Sequence, residues 1–252
     1  MLAAARKDLL LARLRADGRI VAKELAAELG LSEDSIRRDL RELDAAGLAV
    51  RVYGGALPAS PAVADYAARQ TVATDSKRRV GRLAASLIEP GSTVLIDGGT
   101  TALETVRALD RSRECTIITH SPTIAAALLD HAAEVLILGG RLFKHSAVAS
   151  GAAAVEATRA ISADRFFLGV TGVHESEGLT TGDADEAAMK RALAGRAAET
   201  FVLGSSEKIG AVSRYRVLPL DEVTAVLLDA ADADSPTAAA LKDQGVELRT
   251  TS

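Results

Sequence analysis

The sequence predicts an α/β protein in two unequal parts, a small helical head carrying a β-hairpin and a larger, mostly parallel α/β body. Three observations predict it. Two short apolar series at helical spacing, Leu25, Leu29 and Leu31, then Ile36, Leu40 and Leu43, meet at a Gly30 break. A stretch holding Pro58, Ser60 and Pro61 then interrupts the pattern. From Ser76 onward helix-like and strand-like segments alternate. The expected division is a head over residues 1–57, a linker over 58–75 and a body over 76–252.

The first residues, MLAAARKDLLLARLRADG, carry charge where a secretory leader would be apolar, and they read as the first helix of the head. Ser32 precedes the second apolar series as a cap, predicting a helix from Glu33 to Ala46 that Gly47 ends. Ile36, Leu40 and Leu43 share one face of it, leaving Asp34, Ser35, Arg37, Arg38 and Arg41 on the other. Arginine forks grip phosphate oxygens and pair with guanine edges, as a helix lying in a major groove requires. The competing reading is a solvated, salt-bridged face, because Asp39, Glu42 and Asp44 interleave with the arginines. The next residues tip the balance. Leu48 to Val52, with Arg51 in it, alternates as a short strand, and Tyr53, Gly54 and Gly55 make a turn that brings backbone and an aromatic ring to a phosphate chain. That layout is a winged helix-turn-helix, whose partner is double-stranded DNA.

In the body the expected strands are 93–96, 116–118, 134–138, 165–170, 200–203 and 224–228, and the expected helices 77–88, 102–109, 122–131, 152–161 and 184–198. Crossovers between such strands are right-handed, and ligands collect beyond the carboxyl ends. The first strand runs into Asp97, Gly98, Gly99, Thr100 and Thr101, the second into Thr119, His120 and Ser121, the third into Gly139, Gly140 and Arg141. Each loop alone reads as a turn. Together they predict an anion pocket in which glycines admit the ligand to the backbone, a helix N-terminus and hydroxyls donate, and Arg141 or a lysine balances charge. Glu186 and Lys190, four apart on a helix that Asp183 caps, read by default as a surface ion pair.

Hydrophobic residues make up 48% of the chain, aromatics 3%, and tryptophan is absent, so the core is expected to be built from Ala, Val, Leu and Ile. The single Cys115 excludes an intramolecular disulfide and suits a reducing, cytoplasmic setting. No apolar run is long enough to cross a bilayer. His120, His131, His145 and His174 lack metal-ligand spacing, so neither a metal nor another cofactor is expected. His145, beside Lys144, reads as exposed loop polarity. The net charge is −4, yet residues 1–56 hold 10 Lys and Arg against 9 Asp and Glu, a balance of +1, and the remainder 20 against 25, or −5. A near-neutral head binds DNA weakly in one copy, which favours a homo-oligomer, dimer or tetramer, that presents several.

The runs DGRIVAKELAAELGLS, SIRRDLRELDAAGLAVRVYGGA and DGGTT resemble the DeoR-type family of bacterial transcriptional regulators over nearly the whole chain, with RRDL and GGA together carrying the match. The resemblance implies a winged helix-turn-helix joined to an effector domain that is similar to the sugar-phosphate isomerase fold. It implies a repressor of carbohydrate-metabolism genes that binds operator DNA and responds to a phosphorylated sugar. It also implies that Glu186 and Lys190 line the effector pocket. Lys208, in GSSEKIG, falls in a loop commonly reading Asp-x-Ser-Lys-Phe-Gly. Lys208 and Gly210 are kept while Ser205, Glu207 and Ile209 depart, so an effector unlike that of better-matched members is expected. Tyr53 stands where His is common and His120 where Asn is frequent. The competing class is an isomerase with an appended head, in which Asp183, Asp185 or Glu186 moves a proton between carbons. No second acid/base partner is evident and an isomerase has no use for the head, so the expectation is a regulator and not an enzyme.

Overall fold

The computed structural model describes residues 2–251, so Met1 and Ser252, the outer bounds of the two expected parts, lie outside the described residues. The head consists of α1 (Ala3–Asp17), β1 (Ile20–Val21), α2 (Ala22–Leu29), α3 (Glu33–Ala45), β2 (Ala49–Val52) and β3 (Gly55–Pro58). Leu10 and Leu14 of α1 pack on Leu25 of α2 and on Ile36, Leu40 and Leu43 of α3, one turn apart on each helix. Arg6 and buried Asp39 form an ion pair that ties α1 to α3. The three strands make an antiparallel sheet in the order β1-β3-β2. Glycine at position 55 is a packing requirement, since a Cβ there would lie 1.7 Å from the Ile20 carbonyl oxygen.

Residues 58–75, expected as a linker, lie along the body instead. Pro58 O accepts from Val212 N at 3.1 Å, Ser60 N donates to Val212 O at 3.1 Å, and the Ser60 hydroxyl donates to Thr171 O. Farther on, α4 (Tyr66–Arg69) is fixed by Tyr66 N to His145 O at 2.8 Å. Ser60 and Ala62 are buried. Proline and serine read as a solvated tether by composition, yet their small side chains allow this close packing and their backbone groups find partners on the body. The segment is a strap.

The body continues with α5 (Thr74–Ser86), β4 (Thr93–Ile96), α6 (Thr100–Ala108), β5 (Thr116–Thr119), α7 (Pro122–Ala127), β6 (Glu134–Ile137), β7 (Arg141–Phe143), β8 (Val148–Ser150) and α8 (Ala152–Ala157). Then come β9 (Ala163–Leu168), β10 (Gly172–His174), β11 (Gly178–Thr181), α9 (Ala184–Ala194), β12 (Ala197–Gly204), β13 (Tyr215–Arg216), β14 (Ala225–Leu228), α10 (Pro236–Asp243) and β15 (Leu248–Thr250). Seven strands form a wholly parallel sheet in the order β15-β14-β12-β9-β4-β5-β6. All six expected strands are in it, and β15 is added. Successive residues of β9 face opposite layers: Phe167 packs with α5, α6 and α7, Phe166 with α9 and α10. The helices expected to reach His131, Ile161 and Ala198 stop at Ala127, Ala157 and Ala194. Alanine extends a helical reading past the point where strand pairing takes the chain over, as at Ala197, which pairs with Ala163.

Candidate functional site

The sheet order reverses between β4 and β9, and the crevice beyond their carboxyl ends is where an open α/β sheet binds its ligands. Asp97, immediately after β4, closes the floor of that crevice. Its Oδ1 accepts from Gly98 N at 2.8 Å and from His120 Nε2 at 2.7 Å, and its Oδ2 from Gly169 N at 2.9 Å and Lys190 Nζ at 2.6 Å. The carboxylate is fully buried and its acceptor sites are filled. Burial alone would raise the Asp97 carboxyl, but the Lys190 ammonium and the His120 ring hold it well below the usual carboxylate range. His120 Nδ1 faces Ala149 O at 2.8 Å, so both ring nitrogens lie against oxygen acceptors. Asp97 and His120 are thus tied to each other and to the surrounding chain at the floor of the crevice.

Above this floor a small cavity, about 20 Å³, is lined by Gly98, Gly99, Thr100, Thr101, Glu186, Lys190, Lys208 and Arg69. It joins a second of about 260 Å³ through shared walls at Ala62, Ser146, Thr171 and Glu186. Gly99, at φ +123°, starts α6, whose first turn has no side-chain cap. Lys208 Nζ donates to Thr101 Oγ1 and Leu203 O, both at 2.9 Å, and among the described residues no carboxylate lies within ion-pair distance of it. Burial pushes its ammonium down to about 8, with Glu207 opposing the shift and Lys77, Arg69 and Lys190 adding to it. Arg69 Nε and Nη2 are buried with no hydrogen-bond partner, an arrangement that costs free energy until an acceptor arrives. Glu186 and Lys190 do not form the surface pair their spacing suggests. Both are buried, Lys190 goes to Asp97, and the Glu186 carboxylate makes no side-chain bond among the described residues.

Thus Gly98, Gly99, Thr100, Thr101, Glu186, Lys190 and Lys208 come together at one cavity. Other expected contacts stand elsewhere. Thr119 accepts from Ser121 N at 3.1 Å and Ser121 Oγ donates to Ala147 O at 3.0 Å, so both brace the floor. Gly139, Gly140 and Arg141 are exposed beyond β6, and Arg141 makes only a solvent-exposed pair with Asp185 at 3.3 Å. The reason is that β6 is the edge strand, two places from β4. Asp183 caps α9 by accepting from Asp185 N and Glu186 N, each at 3.0 Å, and it borders only the larger cavity. His145 also borders that cavity and bonds Val63 O at 2.9 Å. Arg69 escaped the sequence reading because it sits in what looked like a tether. A larger cavity, about 860 Å³, opens at the amino-terminal ends of the strands, but its arginines are already engaged, Arg216 with Glu177 at 2.8 Å and Arg191 with Arg216 O at 2.6 Å.

On the head, Ser32 accepts from Ser35 N at 3.3 Å and starts α3 as expected. Asp34, Arg38 and Arg41 are exposed on the face away from the core, while Ser35 is half-buried. Arg37 is folded back on Glu33 at 2.6 Å in an i,i+4 pair. Arg38, Arg41 and Arg51 have no side-chain partner among the described residues. β2 and β3 pair as a hairpin whose tip, Tyr53 and Gly54, projects fully exposed, with Gly54 at φ +79°. Gly55 lies inside the wing, against β1, and is not at its tip.

Residues 6–61 match the DeoR-like helix-turn-helix domain, and residues 72–230 match the DeoR C terminal sensor domain. The chain belongs to the DeoR family. Among curated DeoR-family relatives, the chain is 32% identical to the HTH-type transcriptional regulator GlpR of Haloferax volcanii, with 87% of each chain covered. It is 30% identical to the HTH-type transcriptional repressor GlcR of Bacillus subtilis (86% of this chain, 84% of that one) and 28% to the glycerol-3-phosphate regulon repressor of Escherichia coli (86% and 87%). Among solved structures, ribose 5 phosphate isomerase A of Neisseria gonorrhoeae is similar at a TM-score of 0.42 and 15% identity over 57% of this chain and 56% of that one. In this DeoR-family chain, residues 62–71 fall between the two matched stretches, and Arg69 is among them.

Proposed function

We propose that this protein is a DNA-binding transcriptional regulator, a repressor of carbohydrate-metabolism genes, whose body senses a phosphorylated sugar. One observation carries the effector class: buried Lys208 and half-buried Arg69, whose Nε and Nη2 are buried and unbonded, have no carboxylate ion-pair partner among the described residues and share one cavity with the uncapped start of α6. That environment selects a multiply charged oxyanion. Glu186, at the junction with the larger cavity, supplies an acceptor for hydroxyl groups of the sugar part. Operator DNA meets Arg38, Arg41, Arg51 and the Tyr53 tip of at least two heads of a homo-oligomer, with Arg37 joining once released from Glu33. Relatives named as an HTH-type transcriptional repressor and a regulon repressor support this reading of the head.

The isomerase alternative is the less favoured reading of this geometry. Asp183 is spent on the α9 cap and Asp185 on an exposed pair with Arg141, leaving Glu186 as the one carboxylate of the three free to act. The experiment is a thermal-shift screen of phosphorylated sugars and sugar alcohols against their unphosphorylated counterparts. Stabilisation by phosphorylated compounds only, lost in Lys208→Ala, is the expected result. A panel without any shift removes the effector assignment and leaves the DNA-reading head untouched.

A further inference from the structure

The cavity has room for little more than one water molecule, so an oxyanion enters only when a wall moves. The sheet side of the cavity is fixed by the four bonds to Asp97. The opposite side is the strap, which contributes Ala62 and Arg69. It is attached to the body by two bonds at Ser60 and by one each at Val63, Tyr66 and the Arg69 carbonyl, which accepts from Lys77 Nζ at 2.8 Å. Two non-glycine residues in the left-handed region bracket this wall. Ala73, at φ +48°, is where the strap turns into α5. Ala147, at φ +55°, lies in the β7–β8 turn, two residues past His145, which holds the strap. Such strained backbone persists where the surroundings impose it, and it gathers at elements that switch.

We propose that Arg69 is a ligand for the effector's oxyanion and that the strap carries the occupied state of the pocket to the wing. Resting on the sensor reading above, the argument is one of connectivity and unmet bonding. Arg69 Nε and Nη2 are the buried donors of the site that have no partner, and an oxyanion between them and the start of α6 supplies one. Pro58 ends β3 of the wing and itself accepts from Val212 N, so a strap drawn by Arg69 moves the base of the hairpin that bears Arg51 and Tyr53. The ligand gains the Arg69 contact in one strap position only, which is the differential affinity that a shift of population requires. Bound tightly without Arg69, it would leave the head where it was.

The test uses the full chain with inorganic phosphate as probe and chloride at matched ionic strength as control. Thermal unfolding reads binding, and hydrogen exchange reads the strap, 59–73, and the wing, 49–58. Wild type is expected to be stabilised by phosphate and to change its exchange in both segments. Arg69→Gln is expected to raise the half-saturating phosphate concentration about tenfold or more, since a charge-assisted bond is lost. At saturating phosphate its strap and wing are expected to exchange as without phosphate. Arg69→Lys serves the same comparison if the glutamine variant misfolds, with loss of the strap response again expected because the fork is gone. Stabilisation that Lys208→Ala abolishes while Arg69→Gln binds and responds as wild type overturns this inference and leaves the sensor reading standing. Absence of any phosphate effect in wild type overturns both.

Discussion

Lys208 gives the pocket a pH response. A buried ammonium held near 8 is charged below that value and neutral above it, so phosphate affinity is expected to fall as pH rises through about 8. An anion beside Lys208 restores the ammonium, and binding near pH 8 should then take up a proton, read as a calorimetric heat that varies with the buffer. In the free protein the sign runs the other way. With the folded value at about 8, below the ordinary 10.5, the unfolded chain binds more protons between the two, and stability rises with pH across that window. Asp97 is the opposite case: its depressed carboxyl contributes stability that is present above the ordinary carboxylate value and lost as pH falls through the folded one. Asp97→Asn leaves Lys190 and His120 without their shared anion, and we expect a loss of about 3–5 kcal/mol in urea unfolding. At this scale the sequence pointed to Lys190, Lys208 and the Thr100–Thr101 pair, which line the cavity, and to Asp97, where only the fold reveals that four donors already occupy the carboxylate. Arg69 left no local signal, since what marks it is two unbonded nitrogens in a cavity built from distant parts of the chain.

Elements were legible in proportion to the sharpness of their periodicity. α3, with Ile36, Leu40 and Leu43 on one face and Ser32 before it, matches its expected start and falls one residue short at its end. The alanine-rich helices were read too long, and β7, β8, β10, β11 and β13, each of two to four residues inside loops, were missed because so short a run has no period to detect. In the wing, Gly55→Ala forces a methyl group into the Ile20 carbonyl and is expected to cost roughly 1–3 kcal/mol of head stability and to abolish DNA binding. At the start of α5, Ala73→Gly relieves a left-handed alanine and is expected to stabilise the chain by up to about 1 kcal/mol in urea unfolding. A destabilised Ala73→Gly variant would show that position 73 stores no strain.

For the whole molecule, the division into head and body was visible as a change of pattern, while the join was misread because composition reports solvation and not docking. Among the described residues no helix is long and apolar enough to cross a membrane. Charge predicts how the head meets DNA. Each phosphate gripped contributes about −0.9 to the slope of log affinity against log salt, so three free arginines give about −2.7 for one head and about −5.4 for two. Fluorescence anisotropy on a bound genomic fragment measures the slope, and Arg38→Ala should reduce its magnitude by about one for every head engaged if that arginine grips a phosphate. The strap also governs how the protein can be rebuilt. Anyone transplanting a foreign reading head would cut by habit after Pro58, where the wing ends, and would keep a native sensor fused to a stranger. A junction there retains the pocket's arginine while changing the chain that pulls on it; a junction at Ser76 imports a donor's strap and discards Arg69 altogether. Chimeras made at the two seams should therefore differ in what they sense, and parts exchange between relatives is constrained to move strap and pocket as one cassette.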